Sequence, residues 1–576
     1  MMAPKIATSA ALLLLLAATL TLADGPTKPT VWKQGTLTVV PPSVVPPSTS
    51  TIPPTPTPAI AASSTTPTSV PPTTTDVANA TTSIPNATNA TNATIGYVPT
   101  NQLPAQGVFT YFDPTFGRTS RVRIVESLPL GDFDLAPLPN TIGTAEALAL
   151  LFDSAIRQLD ICAMYWNLLG WADHTAFSPD QMKQFGADRG VAVLAALRRA
   201  IKRGVVVRIV GSTTFAPFPE LDGLDVELRL WDASYWYGGG IMHQKLVLVD
   251  QQHAYLGSAN MDWKSMAQVM EVGVVVERSR AIVLDMQRLF NLWWLWSDPV
   301  LINPLDPTGV LAIWQPVDTF VEKFQAVVRL PPWTSSLVQS GWSQPNPFNA
   351  TFVSSQFNKD NQITAVWNGE RSQVFVSAAP EAATSSTRTF DEDGLIYTIQ
   401  QAKKTVCLSV MDFVPYSTYK LDSHNEGSIY WPALVDTMLQ VVYARPVAIR
   451  ILVSRWAHTS AVMIKHLKIL QTQSRTCPCA GGVCLGNITV RLFEVPGWDD
   501  TGDHRKWPAF SRVNHAKYIV TDGRANVGTS NMEWGYFYNT AGTSFNTDNT
   551  EVIDSLQKIF DRNWDSPYAI PLYTYR

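Results

Sequence analysis

The body of this sequence is written twice, and internal repetition decides an architecture before any single element does. Ala155-Ile156 leads into Gln158-Leu-Asp-Ile-Cys-Ala-Met-Tyr165, and Ile399 leads into Lys404-Thr-Val-Cys-Leu-Ser-Val-Met411. Each stretch reads as a helix running into a buried strand. The match sets Cys162 and Cys407 at equivalent strand positions, as small core residues of separate halves and not as a bonded pair. A predicted helix then strand recurs as Val193–Gly204 with Val205–Val210, and as Ala433–Val442 with Val447–Val453. Gly204 stops the first of these helices, and Pro446 breaks the second. Val226–Trp231 repeats as Ile488–Phe493, and each half closes on an aromatic helix, Leu289–Trp294 and Ile559–Trp564. Strands alternating with amphipathic helices specify an α/β layered fold. The prediction is two duplicated α/β/α sandwich halves packed about a pseudo-twofold axis. They span residues 106–300 and 369–576, with a Pro- and Trp-containing linker over 301–368.

Each half carries the same polar constellation between its repeated strand and its last helix. The first is His243-Gln-Lys245, then Asp250, then Gly257-Ser258-Ala-Asn260; the second is His515-Ala-Lys517, then Asp522, then Gly528-Thr529-Ser-Asn531. Residues two apart on a strand share a side, so His and Lys of each motif face one way. A pseudo-twofold axis then brings two His, two Lys and two Asn to one place. That set suits a phosphodiester. One imidazole attacks phosphorus and forms a covalent intermediate, and the other protonates the leaving oxygen and then activates water. Ammonium and amide groups neutralise the non-bridging oxygens as charge builds. The scheme calls for no metal and no cofactor. A single His-x-Lys on a strand is usually a pair of exposed polar residues. Two copies with identical spacing, in equivalent places of a duplicated chain, are not surface decoration. Asp250 and Asp522 complete the motif as site residues, in a supporting role at strand ends.

The amino-terminal region has a different composition. Lys5 precedes an apolar run from Ala10 to Ala23, which reads as a signal peptide over residues 1–23, short for a bilayer span. A retained anchor is the alternative. Residues 24–105 form a Thr/Pro-rich stalk that buries too little apolar surface to fold. Between Lys33 and Asp113 the only charged residue is Asp76. Glycosylation sequons occur at Asn79, Asn86, Asn89 and Asn92, and again in the body at Asn349 and Asn487. The five Cys are too few for a disulfide-built scaffold. Cys477, Cys479 and Cys484 allow one local disulfide in an oxidising compartment, while a metal site there lacks a fourth ligand nearby. The chain has 43 Lys+Arg against 47 Asp+Glu and only 16% charged residues, which excludes a polybasic nucleic-acid arm as the main device. It does not exclude an enzyme that grips a few phosphates.

The paired motif resembles that of the phospholipase D superfamily, and the resemblance covers nearly the whole body. Gly257-Ser-Ala-Asn-Met-Asp-Trp263, Glu271-Val-Gly273, Phe510-Ser-Arg-Val-Asn-His515 and Asp565-Ser-Pro567 are similar to the glycosylated, lumenal branch of that superfamily. The branch resembles 5′-to-3′ exonucleases on single-stranded DNA and RNA, and lipid transphosphatidylation is also attributed to it. The resemblance implies His243 as nucleophile, His515 as general acid, and Lys245, Lys517, Asn260 and Asn531 as phosphate ligands, with Ser258 and Thr529 beside them. It also implies a lysosomal, endosomal or extracellular location, and it is compatible with a homodimer and with membrane association through the N-terminus. The branch carries an acidic residue after each motif to orient an imidazole. Here the first half has Glu271, and Asn539 is expected in the equivalent place of the second. Trp236, Tyr237, Trp263 and Trp534 are candidate base-stacking residues, although among 19 Trp core packing is the commoner role. Phospholipid hydrolysis or head-group exchange is the alternative function, because the motif reads the diester and not its substituents. An inactive binding protein displayed on the stalk is the second alternative.

Overall fold

The computed structural model describes residues 113, 115–233, 239–298, 355, 357–381, 388–417, 429–476 and 484–575, and the backbone of a strand pair at Val317–Asp318 and Arg329–Leu330. The signal-like segment, the stalk, most of the linker, Trp236, Tyr237 and every sequon but Asn487 lie outside the described residues. Asn487 is exposed at the start of a strand. Cys484 is disulfide-bonded, and Cys162 and Cys407 are free and buried.

The first half builds an eight-stranded sheet from β1 (Arg121–Ser127), β2 (Ile142–Gly143), β3 (Gln158–Cys162), β4 (Val206–Ser212), β5 (Glu227–Trp231), β6 (Leu246–Val249), β7 (His253–Gly257) and β8 (Glu271–Glu277). Its order is β2-β1-β8-β7-β6-β3-β4-β5. The second half builds a nine-stranded sheet from β9 (Ile363–Trp367), β10 (Glu370–Ala379), β11 (Thr405–Val410), β12 (Ala448–Ser454), β13 (Asn487–Phe493), β14 (Tyr518–Thr521), β15 (Ala525–Gly528), β16 (Gly542–Thr547) and β17 (Ala569–Pro571). Its order is β9-β10-β16-β15-β14-β11-β12-β13-β17. The central seven strands correspond one to one. In each sheet the strands β3-β4-β5 and β11-β12-β13 run parallel and the rest of the shared strands antiparallel. The second sheet opens at β9, ahead of the residue 369 at which its half was expected to begin.

Three layers of core follow from alternation along the strands. Leu246 and Leu248 of β6 face a core shared with Tyr518 and Val520 of β14, while Val247, Val249 and Ile519 face outward. Helices α1 (Thr144–Ser154) and α2 (Asp188–Lys202) cover the outer face of the first sheet. Between the two come the aromatic helices, α3 (Arg280–Trp296) and, near the C-terminus, Thr550–Trp564, which lie in the shared core. The latter buries Val552, Leu556, Ile559, Phe560 and Trp564, an i, i+4, i+7, i+8, i+12 stripe, and Asn549 caps its start by accepting from the Val552 N–H. The predicted α/β/α sandwich halves are therefore present, with their inner layers fused into one core.

Pairing registers correct the expected match of the cysteines. Cys162 stands opposite Leu246, and the corresponding residue opposite Tyr518 is Ser409. Cys407 stands opposite Val520, the counterpart of Leu248, so it takes the place of Asp160. The chemistry agrees with the register. The Arg208 guanidinium bonds Asp160 at 2.8 Å, and the Arg450 guanidinium, its counterpart, approaches the Cys407 sulfur at 3.2 Å. The alignment by like residues is two positions out, because the two cysteines match each other while the residues that truly correspond to them, Ser409 and Asp160, differ from cysteine in kind. Both cysteines lie in the core that the two halves share, and not in separate cores as expected.

A buried ion pair staples the halves. Arg388 donates to both carboxylate oxygens of Asp285 on α3, at 2.9 and 3.1 Å, and to the Asp285 and Val376 carbonyls. Replacing Arg388 with Leu leaves that buried carboxylate held only by Arg288, at 3.1 Å, and by Ser355, and is expected to cost about 1.5–3 kcal/mol in chemical denaturation. An Asp285→Asn/Arg388→Leu double variant should recover much of the loss.

Candidate active site

Each motif is held by the opposite half. β6 begins at Leu246 and β14 at Tyr518, so the His and Lys residues lie on the segments entering those strands. The His243 N–H donates to the Ala541 carbonyl at 3.0 Å and the Ala541 N–H to Ile241 at 3.0 Å. In the same way His515 N–H donates to Met270 at 2.8 Å and Met270 N–H to Val513 at 2.9 Å. These two bridges, Met242 with Ala541 and Met270 with Asn514, are images of each other under the pseudo-twofold. Each Lys ammonium donates to the carbonyl of its own motif histidine, Lys245 to His243 at 2.8 Å and Lys517 to His515 at 2.7 Å.

The site is buried and crowded with basic groups. His243, Lys245, His515 and Lys517 are all less than a tenth exposed. Burial pushes the His243 imidazole well below its ordinary range, and the charges of Lys245, Lys517 and His515 push it further. Burial likewise depresses Lys245 strongly, with Lys517 adding to the effect. Lys517 is pushed down to about 7 by burial, against the opposing pull of Glu271 and Asp412. His515 is lowered by burial, but Glu271 holds it up. Burial would raise Glu271, and the His515 and Lys517 charges overcome it and bring it below the usual carboxylate range. Asp412 beside Lys517 rises to about 6 through burial. Anionic oxygens placed here would return the ammonium groups to their charged state.

The supporting residues divide by what they touch. Asn531 Nδ2 donates to Tyr536 Oη at 3.1 Å and lies 3.4 Å from Asp412, a neighbour that sequence reading did not single out. Register gives Tyr165 as the Asp412 counterpart, which donates to Asp262 at 2.8 Å. The Asn260 N–H donates to Ser265 Oγ at 3.2 Å. Ser258 Oγ donates to the Val272 carbonyl and accepts from its N–H, and Thr529 Oγ1 accepts from the Thr543 N–H at 3.0 Å. These two hydroxyls tie neighbouring strands together beneath the site.

One imidazole has a carboxylate and the other, among the described residues, has none. His515 Nδ1 lies 2.9 and 3.1 Å from the two Glu271 oxygens, and Ser265 Oγ donates to the same carboxylate at 2.8 Å. The counterpart of Glu271 is Gly542, and not Asn539 as expected. Gly257 pairs with Gly273 and Gly528 with Ser544, so the step from Ser258 to Glu271 leads from Thr529 to Gly542. Asn539 instead matches Gln268, both capping the short helices Trp534–Tyr538 and Trp263–Ala267. Around His243 the polar Ser265–Glu271 pair is replaced by Tyr536 and Gly542. The Tyr536 ring packs edge to face on the imidazole, with centroids 4.9 Å apart. A Cβ at Gly542 would collide with Ser530 Oγ, and the first half has only Ala259 there. The Thr529 main chain weakly favours the charged ring, but His243 Nδ1 makes no hydrogen bond among the described residues.

The motif aspartates lie elsewhere. Asp250 sits at the far end of β6, in a hairpin turn where it and Gln251 have φ of 50° and 57°. Its carboxylate accepts from the N–H groups of Ile156, Arg157 and Gln158, each at 2.8 Å. Asp522 does the same for Lys403, Lys404 and Thr405, and these bonds outweigh burial to lower its pKa. Both aspartates anchor the entry to β3 and β11, since a four-residue strand at ~3.3 Å per residue separates them from the lysines. Trp263 and Trp534 are fully buried, so they are packing residues and not stacking surfaces.

Sulfate, which does not titrate in this range, is expected to bind more tightly as pH falls through about 7. Binding requires charged Lys517, whose free form loses its proton there. Calorimetry in buffers of different ionisation enthalpy should show proton uptake above that pH, and Lys517→Met should reduce it, leaving the share taken up by Lys245.

The sequence is similar to known proteins in both halves. Residues 151–294 match the family described as cardiolipin synthase, PLD-like domain, and residues 345–498 match PLD3/4, PLD-like domain. Phospholipase D Z of Dictyostelium discoideum is 33% identical over 460 residues, covering 79% of this chain and 91% of that protein. A Bos taurus protein named 5′-3′ exonuclease PLD3 is 30% identical over 455 residues, covering 77% and 79% of the two chains. The virion nicking-joining enzyme of vaccinia virus is 29% identical over 459 residues, covering 78% and 89%. Two interlocked halves, each offering one buried His and Lys to a shared cationic site, carry the same stamp as these sequence matches: the chain belongs to the phospholipase D family of phosphodiesterases.

Proposed function

We propose that this phosphodiesterase shortens single-stranded DNA or RNA from the 5′ end, through a phosphohistidine and without a metal. The observation that carries the mechanism is the unequal support of the two imidazoles. A nucleophile must be neutral, and His243, pressed by burial and three neighbouring cations, has the more depressed pKa. A general acid must carry a proton, and His515 has Glu271 on Nδ1 to favour the imidazolium. With Nδ1–H directed at Glu271, the transferable proton sits on Nε2. His243 Nε2 attacks phosphorus as His515 Nε2 gives its proton to the departing oxygen, and the P–O bond breaks. His515 then takes a proton from water, whose oxygen attacks phosphorus and returns the P–N electron pair to His243. Lys245 and Lys517 neutralise the non-bridging oxygens throughout.

The relative named 5′-3′ exonuclease supports nucleic acid as substrate, and those named phospholipase D support lipid diester chemistry as the alternative. A luminal or extracellular location is supported by the signal-like segment, the exposed Asn487 sequon and the disulfide at Cys484. Incubation of the protein with 5′-OH single-stranded oligonucleotides and EDTA, from acid to neutral pH, should give stepwise loss of 5′ nucleotides. Turnover of phospholipid vesicles with intact oligonucleotides would replace this reading by the lipid one. His243→Ala and His515→Ala should each lower cleavage by about 10³-fold or more.

The pH dependence has a defined sign. His515 must be protonated, so the rate rises as pH falls through its lowered pKa, while His243 stays neutral to still lower pH. Glu271→Gln removes the charge that holds His515 up, so it should cut the rate and move the optimum further to acid. Asp250→Asn should instead lower stability, by about 1–3 kcal/mol, with little change in cleavage per folded molecule.

A further inference from the structure

The rim of the second half carries an aromatic cluster that the chemistry does not use. Trp456 and His458 follow the carboxyl end of β12, and Phe510 lies in the segment that enters His515. The Phe510 and His458 rings stack at 5.1 Å with 19° between their planes. Trp456 meets the same imidazole edge to face at 4.6 Å. Phe510 is 64% exposed, a large apolar ring in water, and its backbone is left-handed with φ of 57°. Such a backbone persists in a bulky residue only where the surroundings dictate it. Here they do so two residues later. Arg512, itself at φ 56°, is buried, and its guanidinium donates to the Pro496, Leu130 and Gly131 carbonyls at 2.7, 3.0 and 2.8 Å. It also lies 4.0 Å over the Trp507 ring. The loop is thus locked from beneath while its phenyl ring is held out.

The cluster stands on the ligand side of the sheet. Ligands of parallel α/β sheets bind beyond the carboxyl ends of the strands. Ser454, at that end of β12, donates to the Asn514 carbonyl, and Asn514 Nδ2 donates to Ser409 of β11 at 3.1 Å. Five residues of chain place Phe510 no more than about 18 Å from His515. His458 covers one face of the phenyl ring, which leaves the other for a flat partner.

Resting on the nucleic-acid reading above, we propose that Phe510, backed by His458, is a stacking platform for one base of the single strand, beside the His515 end of the site. Stacking accepts every base, as an enzyme without sequence preference requires. The test is a series of 5′-OH oligonucleotides, each with one abasic position, cleaved by the wild-type protein and by Phe510→Ala. Wild-type kcat/KM should drop at one position of the series. Phe510→Ala should lose about 5- to 100-fold on the intact oligonucleotide and be indifferent to the abasic site at that position. Phe510→Trp should keep the activity and Phe510→Leu lose it, with thermal melting unchanged in all three. Equal cleavage of intact oligonucleotide by wild type and Phe510→Ala overturns the platform alone. Activity retained by Leu as well as Trp overturns stacking in favour of simple apolar contact. A change in sedimentation with cleavage intact overturns it in favour of contact between copies. A wild-type protein that leaves all oligonucleotides whole overturns the nucleic-acid reading itself, and the platform with it.

Discussion

Four main-chain hydrogen bonds across the pseudo-twofold set everything else in this molecule. They join Ile241 and His243 to Ala541, and Val513 and His515 to Met270. Because donors and acceptors are peptide groups, the link is indifferent to side chains and survives wherever the backbone does. It places each motif imidazole in an environment furnished by the other half. Neither half alone contains a histidine with its proper neighbours, and the fused apolar core beneath the bridges keeps the halves from separating.

The site so made is electrostatically uncomfortable when empty. Four basic groups are buried close together, and Glu271 is the carboxylate bonded to them most directly. Burial of that kind is sustained by the rest of the fold, in part by clamps such as Arg388 with Asp285 and Arg562 with Glu126. The same discomfort is what makes the site choose a phosphodiester, whose negative charge, shared by two non-bridging oxygens, relieves it. Stability and function pull against each other here, as they commonly do at active sites.

The duplicated architecture was legible in the sequence because the helix and strand patterns recur in order, and the paired His-x-Lys motif named the four residues that the bridges gather. Other features were hidden for identifiable reasons. The register of β3 against β11 was lost because Cys162 and Cys407 invited pairing by likeness, while the true pairs, Cys162 with Ser409 and Asp160 with Cys407, share no chemistry. Gly542 was missed because a search for an acid-like residue passes over a glycine, although the step from Thr529 points straight to it. Asp250 and Asp522 travel with the motif in sequence, yet the strand between carries them to the opposite end of the sheet. Edge strands β9 and β17 have no counterpart among the described residues of the first half, so repetition could not announce them.

The replacement of Ser265 and Glu271 by Tyr536 and Gly542 has a consequence for how such a site can arise. Were one half to assemble with an identical copy of itself, both imidazoles would inherit the same surroundings, and any change that improved one as an acid would spoil the other as a nucleophile. Covalent fusion removes that conflict. Each half accumulates its own substitutions, and the division of labour proposed for two chemically identical side chains becomes something a single gene can transmit.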